Sequence, residues 1–269
     1  MLINSHSKKT FILAWTYQPN NKRSDNTNNF WGLGDMIRGT IAMFQLSKKY
    51  DFTLIVDLQH HSLSNYLKSE SHKYNQYVME NKHNIPFIED WEIESYLQNN
   101  TNDVSLLFTN CHLRCEITED CKEFIKNILT PTDEFQHYIN ETMIHYHIPK
   151  NYNILHFRLG DSSLVRNQTS DYSNTIIKMN EWREENDILM SDSHFFKDEV
   201  KKRNINILLL DTIPTHLGYK NHSDNIKDTL LEFFIATQSQ KIKTYSTYDW
   251  ISGFVNIVHQ LYDIPIQKI

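Results

Sequence analysis

Asn153-Ile154-Leu155-His156-Phe157-Arg158-Leu159-Gly160-Asp161 is a short apolar run that ends in a histidine, an arginine and a Gly-Asp pair. Pro149 precedes it and Gly160-Asp161 closes it, which suits a buried strand over about 152–158 running into a loop. In open α/β sheets, ligands sit at that end of a strand. Alternation puts His156 and Arg158 on one side, and the planar donor fork of an arginine fits a phosphate at two points. An ion pair between Arg158 and Asp161 would occupy the same residues without a ligand.

Outward from this stretch, strand-like and helix-like segments alternate. Upstream, a strand at 10–17 and a polar loop at 18–29 lead to Gly32-Leu33-Gly34, which opens a helix over about 35–50 with apolar Met36, Ile37, Ile41, Phe44 and Leu46. A strand at 52–58 completes a βαβ unit. Helices are expected at 64–80, 92–98, 118–129 and from Pro131 to about 147, with strands at 85–88 and 104–109. Downstream, helices at 175–185, 194–203, 227–239 and 249–262 alternate with strands at 187–191, 205–211 and 241–245. This rhythm predicts two Rossmann-like α/β domains, 1–149 and 150–269, with one continuous doubly wound sheet as the alternative.

Composition narrows the partners. The 33 acidic and 27 basic residues leave a net charge of −6, so nothing draws the chain as a whole to nucleic acid or anionic membrane. Any phosphate must be met by a local site. No apolar run approaches the ~20 residues that span a bilayer, and the first ten residues are polar, which predicts a cytoplasmic protein without an integral membrane segment. Cys111, Cys115 and Cys121 are odd in number and close together, which fits reduced thiols. With His112 they match no common zinc spacing.

The candidate site residues each admit a ligand-free reading. Ser246 and Thr247 lie between a strand and a helix start, where hydroxyls and N–H groups converge on an anion or simply cap the helix. A carboxylate at Asp192, just past a strand end, could accept the N1–H and N2–H₂ edge of guanine, or cap the following helix. Gly32 and Gly34 let backbone approach a ligand, with Asp35 and Arg38 at the helix start. The third glycine of the dinucleotide fingerprint is missing, which weakens a nicotinamide reading despite Asp57 at the end of the next strand. Trp31, Tyr17, Trp182, Trp250 and Tyr172 could stack on sugars, although Trp250 shares helical spacing with Phe254 and Val258 and so reads as core.

Four pieces in order resemble the α1,2/α1,6/protein-O-fucosyltransferase superfamily. They are Phe30-Trp31-Gly32-Leu33-Gly34-Asp35-Met36-Ile37-Arg38-Gly39, the His156-x-Arg158-x-Gly160-Asp161 motif, Asp187-Ile188-Leu189-Met190-Ser191-Asp192-Ser193, and Tyr245-Ser246-Thr247-Tyr248-Asp249-Trp250. The resemblance implies a GT-B fold and inverting transfer of L-fucose from GDP-fucose to a glycan hydroxyl. It implies no cofactor beyond that donor, and no metal. In keeping with this, no Asp-x-Asp tripeptide occurs to hold a divalent ion on the diphosphate.

Carried over by residue, Arg158 would stabilise the departing β-phosphate and Ser246 and Thr247, with Tyr245 beside them, would bind the phosphates. Asp192 and His156 would line the base or donor pocket, and Gly32 and Gly34 would approach the donor. Apart from the resemblance, an inverting transfer needs a base for the acceptor proton, and Asp35 and Asp161, with Asp171 behind them, are the candidate carboxylates. Tyr245 stands where Asn is common and Leu159 where a second Arg is familiar, so the branch, the linkage and the acceptor stay open. The rivals are another nucleotide-sugar transferase, a binding protein of the same fold without turnover, and a redox enzyme.

Overall fold

The computed structural model describes residues 8–15, 32–59, 61–69, 72–160, 169–215, 217 and 223–269. The chain divides into two compact units, one formed by 1–31 with 35–130 and the other by 32–34 with 131–269.

The first unit is built on the parallel sheet β2-β1-β3, with β1 at Thr10–Ala14, β2 at Thr53–Asp57 and β3 at Val104–Leu107. All five residues of the central β1 are buried, as a strand covered on both faces requires. Helix α1, Leu33–Tyr50, carries Asp35 in its first turn and Lys48 and Lys49 in its last, matching its dipole. Its Thr40 hydroxyl accepts a 3.0 Å bond from the buried Trp15 indole. Gly39 is required by packing, since a Cβ there would lie 2.1 Å from the Thr109 carbonyl oxygen. Gly39→Ala should therefore destabilise the protein by about 1–3 kcal/mol, read as a lower denaturant midpoint at unchanged slope.

The helix expected at 64–80 is instead a short 3-10 turn at Ser62–Asn65 and helix α2 at Asn75–Asn81. The His61 ring caps the short turn, and the His72 ring takes a backbone N–H where the helix would have continued. The Leu63 N–H donates to His61 Nδ1 at 3.1 Å, the Tyr74 N–H donates to His72 Nδ1 at 3.2 Å, and His72 Nε2 lies 3.1 Å from the buried Asp57 carboxylate. The strand expected at 85–88 is a single bridge between Phe87 and Phe108. Helices α3, Ile93–Asn99, and α4, Glu119–Ile128, follow the expected segments. Cys111 and Cys121 are buried, Cys115 is exposed, and all three are free thiols.

The second unit begins with helix α5, Asp133–His145, capped by the Thr132 hydroxyl and packed on helix α8, Ser223–Ala236, through Phe135 and Phe234. That packing places 131–149 with the downstream residues, earlier than the expected division near 149. Its strands are β4 (Asn153–Arg158), β5 (Asp187–Ser191), β6 (Leu208–Leu209), β7 (Ile242–Ser246) and β8 (Ile266–Lys268). They form one parallel sheet in the order β6-β5-β4-β7-β8. Helices α6 (Ser173–Trp182), α7 (His194–Lys202) and α9 (Gly253–Tyr262) complete the unit. Strand 205–211 shortens to two residues, and β8, which pairs with β7, has no counterpart in the sequence reading. Leu155, Phe157, Ile176, Met179, Leu189, Phe196 and Val200 form a core cluster.

Candidate functional site

Winding from β4 through β5 to β6 fills one side of the second sheet; winding to β7 and β8 fills the other. The reversal falls between β4 and β7, and in doubly wound sheets the crevice beyond the carboxyl ends of such a pair is the ligand site. Arg158 is the last residue of β4, Ser246 is the last of β7, and the two are register partners. Sequence distance hid this pairing; the parallel ladder creates it.

Arg158 forms an ion pair with Asp192, the residue following β5; Asp161, the partner considered from the sequence, lies outside the described residues. The Asp192 carboxylate also accepts the N–H of Leu159 at 2.7 Å and the N–H of Gly160 at 3.1 Å. Its side chain is only 9% exposed. Burial pushes its pKa up, against the pull of Arg158 and the two N–H groups in the opposite direction. The helix cap is Ser193, whose hydroxyl accepts the Phe196 N–H, so Asp192 is not the cap. Gly160 has φ +101°, a left-handed conformation that suits glycine, and a Cβ there would also lie 3.3 Å from the Tyr248 hydroxyl.

Ser246 and Thr247 sit at the end of β7, but α9 starts only at Gly253, so they are not at a helix N-terminus. The Thr247 N–H donates to the Arg158 carbonyl at 3.0 Å, and the Ser246 hydroxyl accepts the Tyr248 N–H at 3.1 Å. Thr247 itself is exposed. Tyr245 points elsewhere: as the partner of Phe157, it packs on that ring at 5.4 Å and on the core cluster, with the Lys178 ammonium 4.4 Å from its ring centre. Tyr248 was not singled out by the sequence, yet its ring lies 5.8 Å from the Arg158 guanidinium carbon. Trp250 stacks on Tyr248 at 4.8 Å and is 64% exposed, which corrects its reading as core. Tyr172 is buried against Ser193, and Trp182 is partly exposed.

His156 is buried, 3.0 Å from the Thr244 hydroxyl through Nδ1 and stacked near Phe254. Burial, aided by Arg158, lowers its pKa to about 3. It is therefore neutral at physiological pH. An unfolded chain would protonate it near pH 6.5, so the folded state binds fewer protons between pH ~6.5 and ~3, and stability falls as pH falls through that window. His156→Gln should flatten the acid limb of a stability-against-pH curve by about 1.4 kcal/mol per pH unit in that window. An unchanged slope would contradict the buried neutral histidine.

Gly34, grouped with the second unit, meets backbone: a Cβ there would lie 2.5 Å from the Gly253 carbonyl carbon. Gly32 precedes α1 in the same unit. Asp35 belongs to the first unit and pairs with Arg38 at 3.0 Å. Tyr17, Trp31 and Asp161 lie outside the described residues. Of the expected site, the second unit brings His156, Arg158, Asp192, Ser246 and Thr247 to the carboxyl ends of its strands.

The parallel α/β sheets share the fold of solved fucosyltransferase structures. Among solved structures, the chain is similar to the α-1,6-fucosyltransferase NodZ co-crystallised with GDP, with a TM-score of 0.57 at 12% identity over 94% of this chain and 92% of that one. NodZ from Bradyrhizobium, in a separate structure, gives 0.56 at 12% identity over 94% and 93%. POFUT1 in complex with GDP gives 0.50 at 9% identity over 97% and 98%. No protein-family model matches the chain. No curated protein matches it in sequence. The motif resemblance is thus met by a shared fold.

Proposed function

We propose that the protein is a glycosyltransferase that transfers L-fucose from GDP-fucose to a glycan hydroxyl, with inversion and without a metal. The observation that carries this reading is Arg158 at the β4/β7 reversal, with Ser246 as its register partner and the Thr247 N–H donating to its carbonyl. A diphosphate leaving group gains negative charge as the sugar C1–O bond breaks, and a fixed guanidinium at the strand ends stabilises that charge where it develops. The hydroxyls of Ser246 and Thr247 would hold the phosphate oxygens, and His156, neutral and buried, would shape the pocket rather than move a proton. Asp35 or Asp161 would accept the proton of the attacking hydroxyl. The GDP-bound structures of similar fold support the choice of nucleotide.

Calorimetric titration in EDTA with GDP, UDP, ADP and NAD in parallel tests this. Micromolar binding of GDP alone is expected. Binding of UDP instead would discard fucose, and silence to all four would discard the nucleotide-sugar reading.

A further inference from the structure

We infer that Asp192 is a positioning residue for Arg158, not a reader of the nucleobase; this deepens the donor-site reading above and rests on it. Both carboxylate oxygens are engaged within the chain. One accepts the Leu159 N–H, and the other accepts the Gly160 N–H and the Arg158 guanidinium. The two N–H groups belong to the residues that follow Arg158, so one carboxylate holds both the arginine head and the backbone turn that carries it. A guanine edge needs a carboxylate whose lone pairs face the ligand in parallel, and here three donors converge on it first. Only 9% of the Asp192 side chain and 16% of the Arg158 side chain is exposed, so the pair is held in place by its surroundings.

The geometry also explains why the carboxylate follows β5. β5 flanks β4 on the side away from β7. Asp192 therefore grips Arg158 from outside the reversal and leaves the crevice between β4 and β7 to the ligand. Long arginine side chains have many rotamers, and fixing one before the ligand arrives removes an ordering cost from binding and from the transition state.

The two roles separate by ligand chemistry. Arg158 meets the β-phosphate, which GMP lacks; a guanine reader meets the N2 amine, which IDP lacks. In calorimetric titrations of the full chain, Asp192→Asn is expected to weaken GDP by about tenfold or more while leaving GMP and the GDP-to-IDP ratio within about twofold of wild type. Adding Asp192→Asn to Arg158→Ala should cost little further GDP affinity, because the residue acts through the arginine. Should Asp192→Asn fail to fold, Asp192→Glu, which keeps the charge but shifts the oxygens, serves for the same ratios. A collapse of the GDP-to-IDP ratio with GMP weakened equally would overturn the inference and restore the nucleobase role. So would full additivity of the two substitutions. Absence of GDP binding by the wild-type chain would overturn the donor-site reading itself, which is a different result from either.

Discussion

Arg158→Ala is expected to lower release of GDP from GDP-fucose by about 10³-fold or more, the scale on which loss of a donor fixed at a developing oxyanion is felt. The loss should appear in kcat as well as kcat/KM, since the guanidinium matters most when charge builds on the leaving oxygen. Arg158→Lys should recover little, because an ammonium lacks the planar fork that meets both Asp192 and a phosphate. The fold should survive. Asp192 keeps its bonds from the Leu159 and Gly160 N–H groups when the arginine is gone, and its raised pKa lets it become neutral more readily. Near-normal turnover in a folded Arg158→Ala protein would remove the central element of the proposed mechanism.

The largest stability effect is expected inside the second sheet. Lys243 lies on β7 with its side chain 1% exposed, its ammonium 2.7 Å from Asp187 and 2.8 Å from the Trp182 carbonyl oxygen, which accepts a bond from it. Asp187, at the start of β5, is as deeply buried and also accepts the Glu184 N–H at 2.7 Å. Removing one member leaves the other charged, buried and poorly compensated, which in such pairs costs about 3–5 kcal/mol. Lys243→Met should therefore lower the chemical-denaturation midpoint of the full chain markedly. Lys243→Met with Asp187→Leu should recover much of that loss, because no charge is then stranded. A double variant no better than the single one would show that the hydrogen bonds to Trp182 and Glu184, rather than charge, dominate.

Both expectations depend on contacts between residues far apart in the chain, and this marks the boundary between sequence and tertiary structure here. The alternation of apolar runs with helix-period segments determined the α/β class and most strands and helices. Those signals are local: a strand covered on both faces is apolar along most of its length, as β1 is after Thr10, and a chain that reverses through helices must build parallel sheets. The helix expected over 64–80 failed locally too, because the His72 ring takes the Tyr74 N–H that a continuous helix would need.

What only the tertiary structure decided is partnership. Arg158 faces Asp192 because β5 pairs with β4 and the residue that follows β5 carries a buried carboxylate. Ser246 stands in register with Arg158, and Thr244 bonds to His156, through a ladder between strands distant in sequence. Trp250 lies exposed because α9 begins after it, at Gly253, and helical spacing written in the sequence has no effect where the backbone is not helical. A residue's type and local period fix what it can do; the register of a parallel sheet, set by burial across strands that the chain order does not reveal, decides which residue it does it with.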